Sequence, residues 1–160
     1  IALDKLKKTY EQDIQEKNIR IVFDNLTLSL MMEVNVEQFS KVLAGILKNS
    51  MYALLKKSET VTFSPEIFLG LKVNKDMLEI TIRDNGSGID ENIKDKIFAP
   101  FFTTKTTGEA AGVGLYLCRE IVQNHRGTIE VESKKGEYTQ FLITIPVYQP
   151  KTITPPKEEE

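Results

Sequence analysis

Between Val36 and Lys57 the apolar residues Phe39, Val42, Leu43, Ile46, Ala53 and Leu54 recur with a period of 3.6, so this stretch reads as a long helix with a single apolar stripe. Such a helix must bury its stripe against another element, and its neighbours in the chain say which kind. Ile67 to Val73 and Leu78 to Arg83 alternate instead, with Asn74-Lys75-Asp76 between them, and predict a hairpin. Thr128 to Ser133 and Thr139 to Pro146 repeat that pattern around Lys134-Lys135-Gly136. Ile19 to Asp24 and Leu26 to Met32 predict two more strands, joined by a turn at Asp24-Asn25, and Val113 to Asn124 a second helix. This order lacks the strict strand-helix alternation of a doubly wound fold. It predicts an α+β two-layer sandwich, a mixed sheet on one side and the two long helices on the other.

The remaining segments are punctuation. Asn35 is placed to cap the long helix, and Asp90 a short one running to Ile97. Phe98 to Gly112 has no period and reads as a long loop, of the length that usually serves function. Leu3, Leu6, Tyr10 and Ile14 mark an amphipathic helix from Ile1 to about Lys17, read as the end of a preceding helical element. Residues 1–18 are thus expected to be an N-terminal helix, 19–148 the domain proper, and 149–160 a Pro, Lys and Glu tail too polar to pack.

Composition bounds the function classes. A chain of 160 residues, 41% hydrophobic and 28% charged, has enough apolar surface for one core and too little length for two. A net charge of -2 argues against a nucleic-acid partner, so any phosphate recognition has to come from local geometry. No apolar run approaches 18 residues, and there is no signal peptide or zinc-like Cys/His spacing. The expectation is a cytoplasmic fragment with no direct membrane contact, cut from a longer chain that a membrane could anchor. Cys118 stands alone in an apolar run, which predicts a buried, unreactive thiol in a reducing compartment.

Three segments carry chemistry. Asn49 lies three residues after Ile46 and four before Ala53, where the helical period predicts the apolar face. An amide there is either a core group satisfied by backbone or an oxygen ligand for a hard cation such as Mg²⁺. The run Ile82-Arg-Asp-Asn-Gly-Ser-Gly-Ile89 puts a carboxylate, Asp84, at a strand end ahead of Gly86 and Gly88. That is either an ordinary tight turn or a place where a flat ligand reaches the backbone while the acid accepts a hydrogen bond from an exocyclic amine, which adenine offers and guanine does not. The third run, Ile97-Phe-Ala-Pro-Phe-Phe-Thr-Thr-Lys105, leads to Gly112-Val-Gly-Leu-Tyr-Leu117. Phe98, Phe101 and Phe102 are candidates for core or for the site. The N–H groups of Gly112, Val113 and Gly114 open a helix and suit an anion, to which Lys105 could add a mobile charge.

In that order these segments resemble the N, G1, F and G2 boxes of the histidine-kinase branch of the superfamily shared with gyrase, the Hsp90 chaperones and MutL, the Bergerat ATP-binding fold. The resemblance runs from Ile19 to Pro146 and includes Ile121-Val-Gln-Asn-His-Arg-Gly-Thr-Ile-Glu-Val. It implies that Asn49 holds Mg²⁺, that Asp84 receives the adenine amine, and that Gly86 and Gly88, with Ile89 beside them, floor the purine. It further implies that the stretch from Thr103 through Thr104, Lys105, Gly112 and Val113 to Gly114 forms an ATP lid running into Leu115, and that Tyr52 contacts a phosphate. The implied activity is that of a protein-histidine kinase of a two-component phosphorelay. ATP and Mg²⁺ are its cofactors, and its partners are a phosphoacceptor and dimerisation helical hairpin of the same homodimeric protein and a response-regulator receiver domain.

Two positions depart from the pattern, one of them with consequences for chemistry. Gly45 stands where many relatives carry Asn and the ATPase members carry a Glu base, so hydrolysis is disfavoured and transfer to an external nucleophile is favoured. Tyr116 replaces a glycine inside the second helix, and the lid is lengthened by Gly108-Glu-Ala-Ala. The single histidine, His125, precedes Arg-Gly-Thr rather than an acid, and reads as structural. A nucleotide-binding module that does not transfer phosphate and a gyrase-like ATPase are the alternatives.

Overall fold

The computed structural model describes residues 7–24, 35–103 and 114–147. In chain order the elements are α1 (Glu11–Glu16), β1 (Arg20–Asp24), α2 (Val36–Ser58), β2 (Glu66–Asn74), β3 (Met77–Asp84), α3 (Glu91–Lys94), α4 (Gly114–Asn124), β4 (Thr128–Lys134) and β5 (Tyr138–Pro146). The strands form one sheet of order β1-β2-β3-β5-β4, in which β1 is parallel to β2 and every other pairing is antiparallel. With α2 and α4 packed together and α2 against β3, this is the expected α+β two-layer sandwich with a mixed sheet.

The long helix forms where the period predicts it. The Asn35 side chain accepts a hydrogen bond from the Gln38 N–H at 3.0 Å, and Lys56 and Lys57 complement the helix dipole in the last turn. Its buried residues are Phe39, Val42, Ile46, Leu47, Ser50, Met51 and Leu54. Facing them, strand parity buries Leu78, Ile80, Ile82 and finally Asp84 on β3, and Phe141, Ile143 and Ile145 on β5. The interdigitated aliphatic layer is thus continuous with a carboxylate at one end.

Two expectations need correction. The N-terminal helix is not continuous: residues 7–9 are helical, but Tyr10 leaves the helical basin (φ −112°, ψ 23°) to pack on the core, and α1 restarts at Glu11. The helix capped by Asp90, whose side chain accepts from the Asn92 N–H at 3.1 Å, stops at Lys94, and Ile97 is buried within a turn instead. β1 pairs in parallel with β2; the strand expected over 26–32 lies outside the described residues, as do most of the Phe98–Gly112 loop beyond Thr103 and the tail from Tyr148. Among the described residues no helix is long and apolar enough to cross a membrane.

Candidate functional site

Asp84 is the last residue of β3, paired across the sheet with Ile67 on one side and Thr139 on the other. Parity with Leu78, Ile80 and Ile82 turns it toward α2, and it is 2% exposed. Burial pushes its carboxyl up to about 6, against the opposing pull of the Ser50 hydroxyl, the Gly86 N–H and the Lys57 ammonium. The Gly86 N–H donates to Asp84 Oδ1 at 3.0 Å. Ser50, 1% exposed, favours the charged form from nearby, yet its Oγ closes no hydrogen bond in both distance and angle. A buried carboxyl at the margin of ionisation, beside a hydroxyl that closes no full hydrogen bond, makes this a candidate ligand-binding position.

The loop after Asp84 is held from three sides. Asn85 accepts from the Glu66 N–H at 2.8 Å and donates to the Ser64 carbonyl at 2.8 Å, while its own carbonyl accepts from Lys57 Nζ at 2.8 Å. A Cβ on Gly86 would stand 2.7 Å from the Ala53 carbonyl carbon, and the Ser87 N–H donates to the Ala53 oxygen, so the loop lies flush on α2. Gly88 has φ +65°, and a Cβ there would stand 2.2 Å from the Lys134 oxygen. The Gly136 N–H donates to the Ser87 oxygen at 2.7 Å and the Ile89 N–H to Ser133 Oγ at 2.8 Å, fastening the loop to the β4–β5 turn. The close approach that both glycines permit is therefore to the chain's own backbone, not only to a ligand.

Asn49 is half-buried, on the margin of the α2 stripe rather than within it; the stripe runs through Ile46 to Ser50 and Leu54. The polar residue truly inside the core is thus Ser50, which the helical period alone could have singled out four residues after Ile46. Tyr52 is half-buried with Lys56 Nζ 6.0 Å from its ring centre. Thr103 is exposed, Gly114 opens α4 with nothing beyond its own chain neighbours and helix backbone within 4 Å of where its Cβ would stand among the described residues, and Leu115 is half-buried. Thr104, Lys105, Gly112 and Val113 lie outside the described residues. Of the three phenylalanines, Phe98 packs edge-on to Phe141 and Phe102 lies half-buried against the core, whereas Phe101 is 79% exposed in a left-handed conformation (φ +61°). Among the described residues no cluster of three His, Cys, Asp or Glu side chains could hold a metal.

Residues 35–149 match the family of histidine kinase-, DNA gyrase B- and HSP90-like ATPases. The chain belongs to this family. The nucleotide-free catalytic domain of histidine kinase ThkA superposes with a TM-score of 0.71 at 28% identity, over 91% of this chain and 90% of that one. Cyanobacterial phytochrome A of Nostoc sp. is 35% identical over 149 residues, covering 91% of this chain and 18% of that protein. Sensor histidine kinase AtsR of Burkholderia thailandensis is 33% identical over 149 residues, covering 88% and 24%. This is accordingly the ATP-binding catalytic domain of a two-component sensor histidine kinase, and it spans a quarter or less of the length of these two curated relatives.

Proposed function

We propose that this domain presents the γ-phosphate of Mg-bound ATP to a histidine on a separate helical hairpin of the same protein, from which a response-regulator receiver domain draws it. The observation that carries the reading is the buried Asp84 carboxyl beside the orphaned Ser50 hydroxyl, at the mouth of a loop fixed by Gly86 and Gly88. An adenine edge suits that set: its amine donates to Asp84, and the Ser50 hydroxyl, donor and acceptor both, is satisfied by the base or by a water on it.

Asp84 and Gly86 orient the base, with Gly88 and Ile89 flooring it. Tyr52, Thr103, Thr104, Lys105 and the N–H groups from Gly112 to Leu115 gather the phosphates. Asn49 offers one amide oxygen to Mg²⁺, which suits a cation that takes its other ligands from phosphate and water. When bound, Mg²⁺ neutralises the charge that develops on the transferred phosphoryl group. Gly45 gives water no base, so the chain positions ATP for an external nucleophile. The protein so built is a homodimer whose catalytic domains lie in the cytoplasm, with 19–148 as the nucleotide-binding unit. Calorimetric titration with ATP and GTP tests the base pocket: the domain binds ATP more tightly, and a preference for GTP contradicts the assignment.

A further inference from the structure

The α2 and α4 helices pack antiparallel, with polar contacts at the end of the pair and at its middle. At the far end from the site, Asn35 at the N-cap of α2 meets His125 just past the last turn of α4. In the middle, Cys118 Sγ lies 3.6 Å from the Val42 oxygen and would stand 2.9 Å from a Cβ on Gly45, so the absent side chain lets the helices close. One turn further along α2 comes Asn49, and one turn back along α4 its N-terminus at Gly114.

The tie is specific. Asn35-x-x-Gln38 has the spacing of a capping box, in which the Gln38 side chain would serve the Asn35 N–H. That N–H instead donates to His125 Nε2 at 3.0 Å, across 90 residues of sequence. The other ring nitrogen, Nδ1, lies 2.7 Å from the Ile121 oxygen, which can only accept. Both nitrogens are thus committed: Nδ1 carries the proton and Nε2 presents its lone pair. The ring also stands edge-on to Phe39, centroids 6.5 Å apart.

We infer that His125 is a positioning residue for the nucleotide site: as the Nδ1–H tautomer it pins the α2 N-cap to the end of α4 and so fixes the angle at which the α4 N-terminus faces Asn49. The role rests on the phosphate reading of Gly114 and Asn49, but the tie itself does not. Freed at His125, α4 can roll about the Gly45–Cys118 contact, and the amides of Gly114 and Leu115 then lose register with the α2 side of the site.

Because His125 is the only histidine, its imidazole nitrogens give unambiguous signals in a long-range proton–nitrogen spectrum of the 15N-labelled chain. The spectrum of the neutral ring shows the Nδ1–H tautomer; the Nε2–H tautomer overturns the proposal. Two variants separate the tie from mere helix capping, since a glutamine oxygen falls near the place of Nε2 and an asparagine amide near Nδ1. His125→Asn weakens Mg-ATP binding by about fivefold, the scale of one lost hydrogen bond, and His125→Gln keeps it within about twofold. Unchanged affinity in His125→Asn, or equal losses in both that follow their melting temperatures, overturns the role. A chain with the Nδ1–H tautomer that takes up no Mg-ATP overturns the nucleotide reading, and the positioning role with it, while the tie stands.

Discussion

Asp84 shows most directly how a single residue is placed by one rule and used against another. Strand parity carries it to the buried side, where an ionised carboxyl is costly. With its folded-state value raised to about 6 from 3.8, the folded chain holds a proton that the unfolded chain releases; this contribution to stability is full below 3.8 and lost as pH rises through about 6. Asp84→Asn should therefore raise the melting temperature above that pH while weakening ATP binding by about 1–3 kcal/mol, the scale of a buried polar group left poorly matched. In the wild type, ATP affinity should be flat above pH 6 and fall below it, approaching about tenfold per unit, and the variant should lack that dependence. Calorimetry and thermal melts across pH check both signs. Gly88 makes a second case. Gly88→Ala meets a backbone oxygen and a left-handed φ at once, and should cost at least about 2 kcal/mol in denaturant unfolding. Gly136→Ala, also left-handed (φ +80°) but in open space, should cost about 1 kcal/mol. Cys118 needs no such test: burial pushes its thiol up to about 11, and its place against Gly45 is that of a small packing residue, as an isolated cysteine in an apolar run suggests.

At the scale of elements, the sequence was most legible where one period ran long. The α2 helix, both hairpins and the α4 helix follow from their periodicity, and Asn35 and Asp90 cap as their residue types predict. The site was legible in its strand-borne part, because 78, 80, 82 and 84 share a face by counting alone. It was less legible on α2, where Asn49 and Ser50 are neighbours and 100° of helical rotation decides which is core; the stripe centred on Ile46 and Leu54 takes Ser50. The break at Tyr10 and the early end of α3 were hidden because tertiary packing of Tyr10 and Ile97 overrides local pattern. Nor does any local signal reveal the Asn85, Lys57 and Ser133 contacts that hold the loop after Asp84, which join residues 19 to 44 positions apart. For the lid the prediction is functional: adding Mg-ATP should slow amide exchange over residues 103–114, and exchange unchanged by nucleotide would count against a lid there.

As a whole molecule, the chain is proposed to pair a scaffold that orders the base of ATP with a nucleophile supplied from outside it. Gly45 offers no proton acceptor, and His125, with both ring nitrogens engaged, is not poised to receive phosphate. Alone, such a domain should hold Mg-ATP and consume it slowly; supplied with an external histidine, it should transfer. The most direct test incubates γ-labelled ATP with this chain alone and with the chain joined to, or mixed at high concentration with, the helical hairpin of its own protein. The account predicts little free phosphate from the chain alone and acid-labile label on the hairpin histidine, abolished by Asn49→Ala. Brisk hydrolysis by the isolated chain, or tight binding with no transfer in either mixture, would contradict it.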